Sequence, residues 1–302
     1  MKVKGAIQSM RLRTLPLSLA GVVLGILLAT AEFYVNAWTA VLIMLTTVCL
    51  QILSNLSNEL GDVLRGTDGA DRQGPQYGLN GGLLTVRDMK ILIGIFVGLC
   101  ILSGLGMIWV LFGTLFSLEA ILLMLLGAAA ILGAMKYTLG RNPYGYRGLG
   151  DAFVFIFFGI VSVLGAHFVA AHTVHSWKLL LPAASIGFFS VGVLNVNNIR
   201  DMESDARNRV TVALKLGERN AKIYQTVLIA LGWAAMIAYA LLRFPDVWHW
   251  LFLLTLPLYG LHLKGLWTRS GKALDPMLPL LVISTFLFAL LTGLGFIKYL
   301  LW

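Results

Sequence analysis

Long apolar runs alternate with short polar segments along the whole chain, and the runs share one length. A bilayer-crossing helix needs about 20 mostly apolar residues. Runs meeting that rule fall near 15–31, 38–60, 90–111, 117–138, 151–172, 178–200, 220–243, 247–265 and 277–298. The pattern predicts an all-α integral membrane protein with nine transmembrane helices. Every run contains Gly, Ala or Ser, which lets helix backbones approach closely where lipid removes the hydrophobic drive for association. No Pro/Ser-rich linker divides them, so residues 1–302 read as a single polytopic domain. The first run continues into a full span, and no cleavable signal peptide is expected.

Composition agrees with a lipid-solvated surface. The chain is 58% hydrophobic and 12% charged, with a mean hydropathy of +0.84, whereas soluble domains carry about 25% charged residues. The formal net charge of +9 does not indicate nucleic acid, because no basic stripe with interleaved aromatics is present. It reports topology instead. Of the Lys and Arg residues, 20 fall on one side of the predicted spans; only Lys178, Arg243 and Lys298 fall on the other. By the positive-inside rule the N-terminus is cytoplasmic and the C-terminus outside. Cys49 and Cys100 lie inside apolar runs without metal or redox spacing, and read as packing residues.

Two polar constellations interrupt this pattern. Asn55, Asn58 and Asp62 stand at i, i+3 and i+7, and Asn198, Asp201 and Asp205 repeat that spacing 143 residues later. Such spacing puts each set on one helix face. Both close apolar runs on the cytoplasmic side, and ionisable groups at membrane depth are too costly to be incidental. Solvated helix caps are the bland alternative. The matched pair, with Asn197, Glu203 and Asp68 nearby, points instead to Mg²⁺, which takes oxygen ligands from one or two carboxylates plus substrate phosphates. The expected metal ligands are Asn58, Asp62, Asp201 and Asp205, with Asp62 and Asp201 catalytic. Arg65, Arg72, Arg200, Arg207, Arg209, Lys215 and Arg219 supply cations around them. Of these, Arg65, Arg72, Arg200 and Lys215 are expected on the diphosphate, although a positive-inside role accounts for any one of them equally well. The offset also hints at duplicated halves facing a shared cavity.

A third cluster runs from Lys136 to Asp151 and is rich in Gly, Pro and Tyr, a turn by composition. Tyr137, with Tyr144 and Tyr146 behind it, can stack on an aromatic substrate or face a developing carbocation; an interfacial aromatic belt is the alternative. Arg141, Arg147 and Asp151 join Tyr144, Asn55 and Asn198 as expected substrate-binding residues. His167, His172 and His175 fall towards the other membrane side and are read as non-catalytic. An ion-coupled transporter could also bury such carboxylates, but transport sites usually lie near the bilayer midplane. A phosphotransferase for CDP-alcohols would need a tighter Asp pattern along one stretch.

These residues together resemble the UbiA superfamily of intramembrane aromatic prenyltransferases. The similarity rests on Met10-Arg-Leu-Arg13-Thr-Leu-Pro16, on Asn55 to Asp62 followed by Gly66-Thr67-Asp68 and Gly74-Pro75, and on Tyr137 to Asp151 with Phe155 and Gly159. It also rests on Asn197 to Asp205 followed by Lys215-Leu-Gly217. The spelling is similar to the branch acting on 1,4-dihydroxy-2-naphthoate. The resemblance implies a nine-helix bundle around a cytoplasm-facing cavity in a bacterial inner membrane. It implies Mg²⁺ as cofactor, with a polyprenyl diphosphate and 1,4-dihydroxy-2-naphthoate as reactants and menaquinone biosynthesis as the setting. It further implies a tail groove opening to lipid. Glu59, Gln76-Tyr77-Gly78 and Asp151 depart from the family pattern, which bears on the acceptor (4-hydroxybenzoate, homogentisate and haem are others) more than on the reaction.

Overall fold

The computed structural model describes residues 2–66, 74–206, 209–243 and 246–297. The chain opens with α1 (Val3–Met10), turns through a left-handed Arg11 and enters α2 (Leu15–Thr30), which has a proline in its first turn. Proline suits that position, where its missing N–H has no partner to lose. Then come α3 (Ala37–Arg65), α4 (Val86–Phe112) and α5 (Leu118–Lys136). Next, α6 (Gly150–Val154) passes through a π-helical stretch, Phe155–Val161, into α7 (Ser162–Ala171). The second half comprises α8 (Leu180–Arg200), α9 (Met202–Asp205), α10 (Val212–Leu216), α11 (Glu218–Leu242), α12 (Leu256–Thr268) and α13 (Met277–Phe296).

Among the described residues eight segments are long and apolar enough to cross a membrane, and each matches a run expected from hydropathy. The expected run at 247–265 is also helical, but in two pieces: a 3₁₀ stretch, Val247–Thr255, leads directly into α12. Pro257 explains the break, since it cannot donate to the preceding turn. The chain is thus a multi-pass helical membrane protein.

Burial ranks the segments. In the segment containing α8, 72% of the apolar window is buried inside the protein, against 6% for α5. The second acidic motif therefore ends the central helix, and α5 faces outward. The core around α8 is aromatic: Phe189, Tyr259 and Phe288 are fully buried, with Trp233 edge-on to Phe288 at 5.2 Å. A second core of Leu53, Leu56, Met89 and Cys100 fastens α3 to α4, so both cysteines are buried, unbonded packing residues. The π-helical stretch crosses α8 where Gly159 meets Gly187. A Cβ on Gly159 would come within 2.6 Å of the Gly187 Cα, so a side chain there would push the helices apart.

Candidate functional site

The first motif lies on the last three turns of α3. Gly66 stops that helix in a left-handed conformation (φ 68°), returning its N–H to the Asp62 and Val63 carbonyls. Asp62 therefore projects from a helix end rather than from mid-span. The second motif follows the end of α8, with Asp201 at its C-cap and Asp205 closing α9.

The two tips are at the same end of the bundle, and one side chain joins them. The Arg209 guanidinium ion-pairs with Asp62 through Nη2, while its Nη1 lies 4.0 Å from Asp205 Oδ1. Tyr146 donates its hydroxyl to the same Asp62 Oδ1 at 2.6 Å, and its ring lies 4.6 Å from the Arg209 guanidinium carbon. Burial opposes the charge of Arg209, yet the adjacent Asp62 and Asp205 outweigh it and hold its pKa above the usual arginine value. Asn58 is next along the face, its Oδ1 3.2 Å from the Thr138 hydroxyl.

The loop after α5 covers this arrangement. Tyr137 turns edge-on to Tyr144 at 5.2 Å, and Tyr144 stacks on Phe153 at 4.1 Å. Tyr144 is itself fixed by donating to the Gly133 carbonyl at 2.8 Å. Gly145 has to be glycine here, because a Cβ would meet the Tyr137 carbonyl at 2.7 Å and its ring at 2.8 Å. Burial pushes both phenols up to about 12, so they remain neutral hydroxyls. The Val210 amide donates to the Tyr146 carbonyl at 3.2 Å, and a parallel bridge joins Val210 to Arg147. That contact brings Arg209 back over the loop. A small cleft of about 10 Å³ lies between them, lined by Tyr137, Gly148, Asp151, Leu194, Asn198, Arg209 and Thr211. Asp151 accepts from the Tyr224 hydroxyl at 3.0 Å. The Lys215 ammonium lies near Gly148 of the cleft wall, 3.7 Å from where a Cβ of that glycine would stand.

Other expected site residues stand apart. Both Asp201 oxygens accept from Arg200, at 2.8 and 2.6 Å. Arg200 also donates to Asn197 and, at 2.7 Å, to Asp275, which faces Arg13 at 3.6 Å. Arg200 is therefore the hub of a network tying α8 to the N-terminal turn and the start of α13. Asn55 faces that turn as well, donating to the Met10 carbonyl at 2.9 Å and to Thr14 at 3.0 Å. Arg65 is exposed and donates to the Gly140 carbonyl at 2.5 Å, and Arg141 and Arg147 are exposed on the loop. Glu59 turns away from the tips, accepting from the Leu79 and Asn80 amides at 2.7 and 3.3 Å. Asp68, Arg72 and Arg207 lie outside the described residues. His167 and His175 sit at the opposite helix ends, beside Glu32 and Phe33.

Sequence reasoning named Arg209 only among several cations, gave Tyr146 an aromatic stacking role rather than a bond to Asp62, and did not consider Asp275. The Tyr-rich composition of the loop was the available signal for Tyr146. Nothing local distinguishes Arg209 from its neighbours.

Asn58, Asp62 and Asp205 offer oxygen donors, and one guanidinium spans both carboxylates. Among the described residues no three His, Cys, Asp or Glu side chains converge as a metal cage. The oxygen donors present are of the type Mg²⁺ takes, from one or two carboxylates together with waters and substrate phosphates.

Comparison with known proteins follows the same lines. The UbiA prenyltransferase family model matches residues 18–277. The chain is 39% identical to the 1,4-dihydroxy-2-naphthoate octaprenyltransferase of Escherichia coli (strain K12), over 96% of this chain and 94% of that protein. It is 34% identical to the enzyme of the same name from Haemophilus influenzae, over 97% and 96%. Among solved structures it is similar in fold to a UbiA homologue from Aeropyrum pernix K1 (TM-score 0.70, 18% identity, 94% of this chain and 97% of that one). It is likewise similar to an Archaeoglobus fulgidus homologue bound to DMAPP and Mg²⁺ (TM-score 0.65, 15% identity, 98% and 99%).

Proposed function

The chain belongs to the UbiA prenyltransferase family, and from that premise we propose that it transfers a polyprenyl group from a polyprenyl diphosphate to 1,4-dihydroxy-2-naphthoate. The carboxylate would leave as CO₂, giving demethylmenaquinol in menaquinone biosynthesis. The observation that carries the metal-diphosphate part is the Arg209 bridge between Asp62 and Asp205: two acidic helix ends lie within reach of one cation, beside a tyrosine-walled cavity. The acceptor rests on the relatives at 39% and 34% identity, which bear that substrate in their names.

In this reading Asn58, Asp62 and Asp205 hold Mg²⁺ against the diphosphate, with Asp201 completing the set once released by Arg200. Bound there, Mg²⁺ would supply electrostatic stabilisation of the departing diphosphate. Lys215, Arg200, Arg65 and Arg72 offset the remaining negative charge. The allylic C–O bond breaks, diphosphate leaves with the electron pair, and the electron-rich ring carbon bearing the carboxylate attacks the allylic cation. Loss of CO₂ then returns an electron pair to the ring. Tyr137, which lines the cleft, would offer its ring to the cation, with Tyr144 packed edge-on to it and next to the acceptor. Asn198, Asp151, Arg141 and Arg147 contact the acceptor from the cavity wall and rim, and Asn55 shapes the site through the N-terminal turn. A water-poor cavity spares the cation from hydrolysis. The single domain of residues 1–302 crosses the bacterial inner membrane nine times, the run at 247–265 included, with its N-terminus and the acidic tips cytoplasmic.

The test is incubation of purified protein with Mg²⁺, radiolabelled polyprenyl diphosphate and 1,4-dihydroxy-2-naphthoate, with 4-hydroxybenzoate in parallel. Labelled lipid from the naphthoate alone, with CO₂ released in equal amount, is the expected result. Product from 4-hydroxybenzoate only would overturn the acceptor assignment, and no product from either would overturn the reaction.

A further inference from the structure

Arg209 lies between two of the carboxylates expected to hold a divalent ion. Its guanidinium spans Asp62 and Asp205, and the Asp62 Oδ1 it engages is also the acceptor for Tyr146. The three side chains are largely enclosed, with relative exposures of 17% for Arg209, 9% for Asp62 and 10% for Asp205. Two carboxylates brought together at such a site repel unless a cation lies between them. The Arg209 guanidinium is such a cation, supplied by the chain itself.

The main chain at Arg209 and Val210 is anchored separately from the Arg209 guanidinium. The Arg209 amide donates to the Asp205 carbonyl at 2.9 Å, and the next residue is tied to Tyr146. Among the described residues the guanidinium is held by the two carboxylates and the Tyr146 ring rather than by a backbone carbonyl. Its Nε is enclosed and has no acceptor among the described residues. A rotation about the side-chain bonds therefore exchanges carboxylates for another anion without moving the loop.

We infer that Arg209 is an exchangeable internal cation: it holds the acidic tips together when they are empty, and yields them to a divalent metal only when a diphosphate arrives to take its guanidinium. The inference rests on the metal-diphosphate reading of the tips and adds an order of binding. Metal alone has to displace a buried guanidinium and leave it without a partner, which is unfavourable. Metal with diphosphate gives that guanidinium three or more phosphate oxygens. Binding of the two is then mutually reinforcing, as linkage requires, and the empty site does not fill with metal in a form that excludes substrate.

The test is titration of the detergent-solubilised full chain with Mn²⁺, followed by electron paramagnetic resonance, with and without inorganic pyrophosphate. Wild type, Arg209→Gln and Lys264→Gln are compared, the last removing an exposed charge elsewhere on the surface. The melting temperature without metal is read alongside. Wild type and Lys264→Gln are expected to bind Mn²⁺ weakly alone and about tenfold or more tightly with pyrophosphate. Arg209→Gln is expected to bind Mn²⁺ alone about tenfold more tightly than wild type, the size of one lost like charge near a half-enclosed site. It should gain little from pyrophosphate and melt lower when metal-free. Equal Mn²⁺ affinity in wild type and Arg209→Gln, both folded, would overturn the exchange while leaving the metal site standing. Absence of Mn²⁺ binding from all three, even with pyrophosphate, would overturn the metal site and this inference with it. Should Arg209→Gln not fold, Arg209→Lys retains the charge but cannot span both acids, and an unchanged Mn²⁺ affinity there would count against the exchange equally.

Discussion

Ion pairs close both ends of the bundle, part-buried at one and exposed at the other, and they differ in what surrounds them. At the motif end, Arg209 comes from a connecting segment, spans acids on two helix ends and borders a cavity. At the opposite end, Glu32 is held by Arg243 and by His175 at 2.5 Å, with Phe33 edge-on to His175 at 5.3 Å. Lys178 adds a bond to the Leu242 carbonyl at 2.9 Å. This second cluster joins the ends of α2, α8 and α11 and lies beside no described cavity. Similar chemistry thus gives a fastening at one end and a site at the other. What separates them is the loop and cleft beside Arg209, where Tyr146 and the cleft wall meet the ion pair.

Substitutions should separate the two ends in graded steps. Asp62→Ala should lower prenyl transfer about 10³-fold or more, the scale of a lost metal ligand, while the protein still inserts and melts cooperatively. Gly145→Ala should lower it by up to about 10²-fold, because the added Cβ displaces the Tyr137 ring and small misplacements at a reacting centre are costly. Steady-state kinetics with unchanged expression would check it. Tyr146→Phe removes one bond to a carboxylate, so a loss of roughly tenfold is expected, read best as weaker Mn²⁺-pyrophosphate binding. Glu32→Gln at the other end should leave kcat unchanged and shift stability by about 1 kcal/mol or less, measured by thermal melting. Loss of activity in Glu32→Gln matching that in Tyr146→Phe would erase the distinction between the ends.

Hydropathy captured most of the architecture, since a span has only to be apolar and long enough. It could not foresee that 247–268 would begin as a 3₁₀ stretch, because Pro257 acts on backbone hydrogen bonds rather than on polarity. Helical spacing placed Asn58, Asp62 and Asp205 at one end of the molecule. It grouped Asn55 and Asp201 with them, although a polar helix face spread over several turns can serve different neighbours. Asn55 faces the N-terminal turn, and Asp201 is engaged by the adjacent Arg200. Arg209 was named among the surrounding cations but not singled out, because its role depends on the contact of Val210 with Tyr146 and Arg147, between segments far apart in sequence. No local period encodes such a contact.

A structure of the protein in lipid nanodiscs with Mg²⁺ and an unreactive polyprenyl thiodiphosphate addresses the acidic tips most directly. The account predicts a metal about 2.1 Å from an oxygen of Asp62 and of Asp205, with the Arg209 guanidinium turned from both onto the diphosphate. A diphosphate bound away from α3 and α9, or a metal touching neither carboxylate, would contradict it.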